Sequence, residues 1–406
     1  MSDLAATPVP SQIPAHGAAH RRRVMLVAAE PSGDLLGARL MAALRLQTLG
    51  EVAFIGLGGP HMAEQGLASL FPMEELTAMG LIEVLPKIPH LAARLRKLTK
   101  FALRERPDVL VTIDSPDFNF RLGRRLQGRG IPLVHYVAPS VWAWRPGRAR
   151  QIARFLDHLM ALLPFEPPYF ETVGLPCSFV GHPVVESGAD RGSGARFRQR
   201  HGLASERPLI CVLPGSREGE VRRHLPIFAE TLKRLAARFP DLAAAVPTVP
   251  AVAAEVRAAA EAFAVPAIVV TETVEKYDAM AAATVALAAS GTVALELAMV
   301  RVPAVIAYRV NPLSAALARR VLKVRYVSLV NLILDRPVMP ELLQENCEPE
   351  ALAREIEKIM VDPTKRTAQN DAARTAMAAL GQIGEPPSLR AADVVLRAIA
   401  QGPRRR

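Results

Sequence analysis

Short apolar runs alternate with helical patterns along most of this chain. The runs cover residues 24–29, 52–57, 109–113, 132–137 and 159–163, with helical periodicity between them, as at 35–46 and 119–129. The runs lack two-fold alternation, which suits parallel strands covered on both faces. The pattern pauses at residues 181–200, where Gly, Ser, Arg and Pro dominate, and this reads as a linker. It resumes with runs at 209–213, 242–246, 267–270, 285–289 and 304–308. After Glu348 only helical patterning continues, through Ala400. The expected class is α/β, with two doubly wound parallel sheets facing each other across a cleft. The closing helices are expected to return to the first domain. The expected divisions are a disordered tail at 1–22, domains at 23–186 and 187–365, and closing helices at 366–406.

Length and charge narrow this only a little. At 406 residues the chain suits two domains. Lys plus Arg exceed Asp plus Glu by 50 − 39 = 11, which suggests contact with phosphate or an anionic surface. Cys177, Cys211 and Cys347 are far apart and form no C-x-x-C pair, which argues for a reducing compartment and against structural zinc. The longest uncharged apolar stretch, 279–295, has 17 residues and is broken by Ser290-Gly291-Thr292. A membrane span needs about 20. The stretch therefore reads as strand, turn and helix, and the protein as cytoplasmic.

Candidate chemistry gathers where the apolar runs end. In LVAAEPSGDLLGARL the first run stops at Glu30, and Ser32, Gly33 and Asp34 turn the chain into a helix. In PDVLVTIDSPDFNFRL the third ends at Asp114, with Asp117 three residues on. Two carboxylates at a strand end suit a general base and an orienting partner. The competing reading makes Asp117 or Asn119 the N-cap of the next helix. HYVAPSVWAWRPGR brings His135, Trp142, Trp144 and Arg148 together, either as a site wall or as a buried Trp pair. GLGGPHM departs from the G-x-G-x-x-G dinucleotide fingerprint, so it supports an NAD enzyme weakly.

Two turns of the second domain suit phosphate. LPGSREGEV places Gly215, Ser216 and Arg217 after a strand, offering backbone N–H groups beside a guanidinium. ALAASGTVALELA places Ser290, Gly291 and Thr292 before a helix, with Glu296 about one turn in, where a carboxylate could accept from ribose hydroxyls. Each alone could be an ordinary capped turn; two in one domain make a stronger case.

Between residues 84 and 104, Val84, Ile88, Leu91, Leu95, Leu98 and Ala102 recur at helical spacing. Lys87, Arg94, Arg96, Lys97, Lys100 and Arg104 are interleaved, without Asp or Glu. Most amphipathic helices cover their own core, whereas a cationic one can also lie on an anionic membrane. The membrane-docking expectation rests on Ile88, Leu91, Arg94, Leu95, Lys97 and Leu98.

The motifs AEPSGDLLGA, GLGGPHM, AMGLIEVL, IDSPDFNFRL, HYVAPSVWAWR, PFEP, FVGHP, LPGSREGEV, SGTVALE and YVSLVNLI stand in this order between Glu30 and Ile333. Together they closely resemble the lipid-A-disaccharide synthases, glycosyltransferases of lipopolysaccharide synthesis. The resemblance implies two Rossmann-like domains of the GT-B type. It implies inverting, metal-independent transfer of 2,3-diacylglucosamine from UDP-2,3-diacylglucosamine to 2,3-diacylglucosamine 1-phosphate, with no cofactor. The products would be the β-1′,6-linked disaccharide 1-phosphate and UDP. The family's motif residues fall on Glu30, Asp114, Arg217, Glu296 and Asn331; Glu30 and the Ser32-Gly33-Asp34 turn would line the acceptor side of the cleft, and Arg217, the Ser290–Thr292 turn, Glu296 and Asn331 would hold UDP on the other. Ala29, Pro31 and Ala138 depart from the commoner residues at their positions. The implied surroundings are the inner face of the inner membrane, with no nucleic-acid partner; a homodimer is compatible with this reading. A UDP-sugar epimerase or other transferase of cell-wall synthesis is the runner-up, and a non-catalytic anionic-surface binder the third reading.

Overall fold

A computed structural model describes residues 21–76, 88–311, 315 and 324–404. The tail at 1–20, the whole AMGLIEVL motif with its Val84, Lys87 and the Ile88 side chain lie outside the described residues. The first sheet comprises β1 (Arg22–Ala28), β2 (Val52–Leu57), β3 (Val109–Ile113), β4 (Leu133–Tyr136), β5 (His158–Ala161) and β6 (Cys177–Phe179), in the order β2-β1-β3-β4-β5-β6. The second comprises β7 (Leu209–Leu213), β8 (Ala243–Pro247), β9 (Ala267–Val270), β10 (Val285–Ala289), β11 (Ala304–Tyr308) and β12 (Glu341–Leu343), in the order β12-β11-β10-β7-β8-β9. Every neighbouring pair of strands is parallel.

The apolar runs divide their side chains between two faces. Met25, Val27, Leu110, Leu133 and Leu159 face one layer of helices; Val24, Leu26, Val109, Val111 and Val134 face the other. The second sheet repeats this, with Cys211, Leu213, Ala286 and Ala288 on one side and Ile210, Val212, Val285 and Leu287 on the other. Burial on both faces is why these strands read as continuous apolar runs.

Each sheet has one switch point. The chain leaves β1 to one side for β2, then returns to β1's other side as β3, with Ala28 in register with Ile113. Likewise β8 and β9 extend one side of β7, and β10 takes the other, with Ala288 in register with Leu213. At each switch point, connections diverge and leave a crevice at the strands' carboxyl ends.

The closing helices divide. Helix Pro363–Ala379 stays with the second domain, where Ala373, Ala376 and Met377 join its core. Helix Pro387–Gln401 returns to the first domain: Ala391, Val394 and Val395 bury against its sheet, and Gln47 donates to Asp393 across 2.8 Å. The two chain crossings touch, His182 N–H donating to Leu380 O at 3.0 Å. The expected linker is ordered into short 3-10 turns at Pro183–Glu186 and Ala189–Arg191 and a helix at Gly194–Arg200.

Helix Ile88–Glu105 turns two of the expected docking residues, Leu95 and Leu98, inward. Leu95 and Leu98 are buried in the first domain's core, with Leu91 packed against it. Arg94 pairs with Glu75 and lies over Phe71, and Lys97 donates to Leu70 O. The stripe covers the protein's own sheet because that sheet's apolar face must be covered. Leu98→Ser should therefore destabilise the protein by about 3 kcal/mol, and Leu91→Ser by less. Urea denaturation measures both; equal, negligible losses would contradict this packing.

Candidate active site

Glu30 and Asp114 meet because β1 and β3 are neighbours. Glu30 precedes helix Pro31–Gln47, whose Gly33 lies so close to β3 that an added Cβ would sit 3.3 Å from the Ile113 carbonyl. Ser115 Oγ donates to Glu30 Oε1 at 2.7 Å, and Ser32 Oγ to Asp114 Oδ2 at 3.3 Å. Asp114 and Ser115 both occupy the left-handed region, with φ of 52° and 41°. Such residues cost on the order of 1–3 kcal/mol each and gather at functional sites. Asn119 holds them there, its buried amide donating to Ile113 O at 3.1 Å and Asp114 O at 2.8 Å. Asp114 N–H is satisfied by Tyr136 O at 2.9 Å.

The Asp114 carboxyl is raised above its ordinary range, chiefly by burial and then by the charge of Glu30; hydrogen bonds from Ser115 N–H and Ser32 Oγ oppose this. Such a carboxylate is a better proton acceptor than a solvated one.

The other expected residues of this domain separate from that pair. Helix Pro116–Leu126 starts behind Ser115, so neither Asp117 nor Asn119 is its N-cap. Asp117 is 88% exposed and pairs with Arg148 at 2.7 Å. Asp34 is not in the cleft wall: it is buried and accepts from the N–H groups of Gly59, His61 and Met62 at 2.8–3.0 Å, fixing the GLGGP turn. That explains GLGGPHM without a dinucleotide. His135 also faces inward, its Nδ1 2.8 Å from Thr112 Oγ1 and its ring edge-on to Phe120. Burial and Arg148 lower its pKa to about 3, so it stays neutral. Trp144 is partly exposed, with Arg145 stacked over it.

In the second domain the adjacency of β7 and β10 brings the two phosphate-suited turns together. Gly215 has φ 122°, and Arg217 is 75% exposed. Glu220 occupies the concave side of this turn: Ser216 N–H donates to its Oε2 at 3.3 Å, and Arg217 lies 3.4 Å from its Oε1. Gly291 and Thr292 are exposed and Ser290 partly so, ahead of helix Val293–Val300. Glu296 is not a lone carboxylate. Lys276 Nζ lies 2.8 Å and Tyr277 Oη 3.3 Å from its Oε1, leaving Oε2 without a hydrogen bond among the described residues. Asn331 is buried and fully engaged. Its amide donates to Met339 O and Glu341 Oε1 and accepts from the N–H groups of Val338 and Met339. It braces the 328–341 segment and has no capacity left for a ligand.

Sequence reasoning missed Lys276, Tyr277, Glu220 and Glu166. Glu220 follows Arg217 at i+3, a readable signal; Lys276 sits on another helix from Glu296, and nothing local marks the pair. Glu166, from PFEP, accepts from Trp142 Nε1–H at 3.1 Å and from Leu162 and Leu163 N–H at 3.1 and 3.0 Å. Burial outweighs these donors and pushes it up to about 7. Trp142, Leu163 and Phe165 pack into the second domain's core cluster, so this carboxyl lies where the domains join. Among the described residues no three His, Cys, Asp or Glu side chains cluster to hold a metal, and no helix is long and apolar enough to cross a membrane.

A family model described as "Lipid-A-disaccharide synthetase" matches residues 24–392. The lipid-A-disaccharide synthase of Rhodospirillum centenum is 59% identical over 380 residues, covering 93% of this chain and 95% of its own. That of Paramagnetospirillum magneticum is 54% identical over 388 residues, covering 94% and 99%. Among solved structures, the S. aureus MnaA–UDP co-structure superposes with TM-score 0.63 at 12% identity, over 93% of this chain and 96% of that one. Acinetobacter baumannii MurG gives 0.56 at 16% identity, over 93% and 99%. At such identities these likenesses speak to fold, which is GT-B.

The raised Glu166 carboxyl has a consequence for stability. Between the ordinary carboxyl pKa and about 7, the folded chain keeps a proton that the unfolded chain has released. Its contribution to stability therefore falls as pH rises through that window. Glu166→Gln should remove this component, seen as a changed difference between urea midpoints at about pH 5 and about pH 8. Identical differences in the two proteins would refute it.

Proposed function

The chain belongs to the lipid-A-disaccharide synthetase family, and on that premise we propose how this glycosyltransferase forms the lipid A disaccharide. The donor is UDP-2,3-diacylglucosamine and the acceptor 2,3-diacylglucosamine 1-phosphate. Support comes from the Asp114 carboxyl, held at the first sheet's switch point beside Glu30, buried enough to be basic and still partly open.

Asp114 takes the proton of the acceptor's 6-hydroxyl as that oxygen bonds to the donor's anomeric carbon. The bond from that carbon to the UDP oxygen breaks, its electron pair leaving with UDP, and the anomeric configuration inverts. Glu30 acts through Asp114, raising its basicity and fixing Ser115. On the donor side, Arg217 and the backbone N–H groups of the Gly215–Ser216 and Ser290–Thr292 turns take the diphosphate's developing charge. Glu220 must yield its place in the first turn to the phosphate. The open Oε2 of Glu296 accepts from the ribose, its other oxygen being anchored by Lys276 and Tyr277. Metal independence belongs to this reading, with Arg217 and the turns neutralising the leaving group.

Acylated substrates put the enzyme at the inner face of the inner membrane. The buried leucines leave docking to the cationic outer surface of helices Ile88–Glu105 and Pro116–Leu126, where Arg96, Lys100, Arg121 and Arg125 are exposed. These helices pack side by side on one sheet face. Arg121→Glu with Arg125→Glu should release the protein from anionic vesicles in sedimentation, as added salt should. Sedimentation unaltered by both would remove the assignment.

The reaction is tested with both substrates in detergent micelles containing EDTA, following UDP release and the mass of the lipid product. A disaccharide phosphate is expected; UDP without disaccharide would indicate hydrolysis or another acceptor. Asp114→Asn should lower kcat by about 10²–10⁴. The base is lost as pH falls through the raised Asp114 pKa, so Glu30→Gln, which removes a raising charge, should shift the acid limb of the rate profile to lower pH. An unmoved limb would dissociate Glu30 from the base.

A further inference from the structure

One buried imidazole ties together two strand ends around the donor turn. His224 lies in helix Glu218–Arg238 and is wholly buried. Its Nδ1 is 2.9 Å from the carbonyl of Pro214, the residue opening the Gly215–Arg217 turn. On the other side, Arg309 N–H donates to its Nε2 at 3.1 Å. An Nε2 that accepts carries no proton, so the ring is neutral and its proton is on Nδ1, which donates to Pro214. Phe228 stacks on the ring at 5.7 Å, and Tyr308 lies 5.5 Å away. Tyr308 in turn reaches Glu220, the carboxylate in the turn, at 3.4 Å.

These contacts span the sheet. Pro214 follows β7 and Arg309 follows β11, with β10 and its Ser290–Thr292 turn between them. Backbone hydrogen bonds hold each strand only to its immediate neighbour, so none joins β7 directly to β11. A side chain bridging β7 to β11 fixes the loops on both sides of the β10 turn at once.

We infer that His224 is a positioning residue for donor binding, acting as a neutral two-sided bridge that presets the Gly215–Arg217 turn to receive the diphosphate. The inference rests on the donor-site reading above. A turn ordered before the ligand arrives need not be ordered by it, so the bridge acts on donor affinity rather than on the chemical step.

The test is UDP binding by calorimetry to the unaltered protein, His224→Leu and His224→Gln, with melting temperatures and steady-state kinetics for each. The Leu variant should bind UDP on the order of tenfold more weakly, the scale of one net hydrogen bond. Its KM for the UDP-sugar should rise while kcat stays near that of the unaltered enzyme. Gln keeps one donor and one acceptor and should recover most of the affinity. A role confined to stability would lower the melting temperature of the Leu variant while leaving UDP affinity unchanged, which would overturn the inference alone. Absence of UDP binding by the unaltered protein would overturn the donor-site reading and this inference with it. Should the Leu variant not fold, ¹⁵N spectra of the unaltered protein decide. The Nδ1–H neutral tautomer is expected, with a resonance that moves on saturation by UDP; another tautomer or an unmoved resonance would overturn the inference.

Discussion

Two parallel sheets, each reversing its strand order beside its first strand, make the rest of this molecule possible. Parallel strands carry all their carboxyl ends to one edge, and a reversal parts the connections there. In the first sheet that gap lies between β1 and β3; in the second, between β7 and β10. Acidic groups collect at one gap and phosphate-suited turns at the other. On the reading proposed above, the base and the receptor for the diphosphate therefore stand in different domains.

The strained pair Asp114–Ser115 shows how the scaffold supports the site. Two consecutive non-glycine residues with positive φ would relax in an isolated peptide. Here the Asn119 amide, the Tyr136 carbonyl and the Glu30 carboxylate hold the turn from three elements. The conformation turns Asp114 toward Ser32 and Glu30, and partial burial then raises its carboxyl. The same group would be an ordinary N-terminal helix acid if the chain had passed straight from strand to helix.

The two domains are joined by adjacent chain crossings. The chain passes over near His182 and back near Leu380, and those residues are hydrogen-bonded to each other. Ser388 then fastens to Glu186, and helix Pro387–Gln401 closes the core of the first domain. Beside these crossings, Trp142, Leu163 and Phe165 of the first domain pack into the core cluster of the second.

Much was legible in the sequence because the relevant physics is local. Continuous apolar runs marked the strands, since burial on both faces removes alternation, and glycine and proline marked their ends. Glu30, Asp114 and the Ser290–Thr292 turn stood out because each follows such a run directly, and Arg217 because it closes the glycine turn after one. Which strand ends adjoin was not local: Glu30 and Ser115 are 85 residues apart and meet only through the order β1-β3. The direction of each polar side chain was equally a tertiary matter. Asp34, His135 and Asn331 resemble site residues by position, yet each turns inward because a buried backbone group nearby, or a neighbouring hydroxyl, needs a partner. The helix at Ile88–Glu105 shows the same limit. Its periodicity established an apolar stripe, but only the uncovered face of the first sheet decided that the stripe lies against protein.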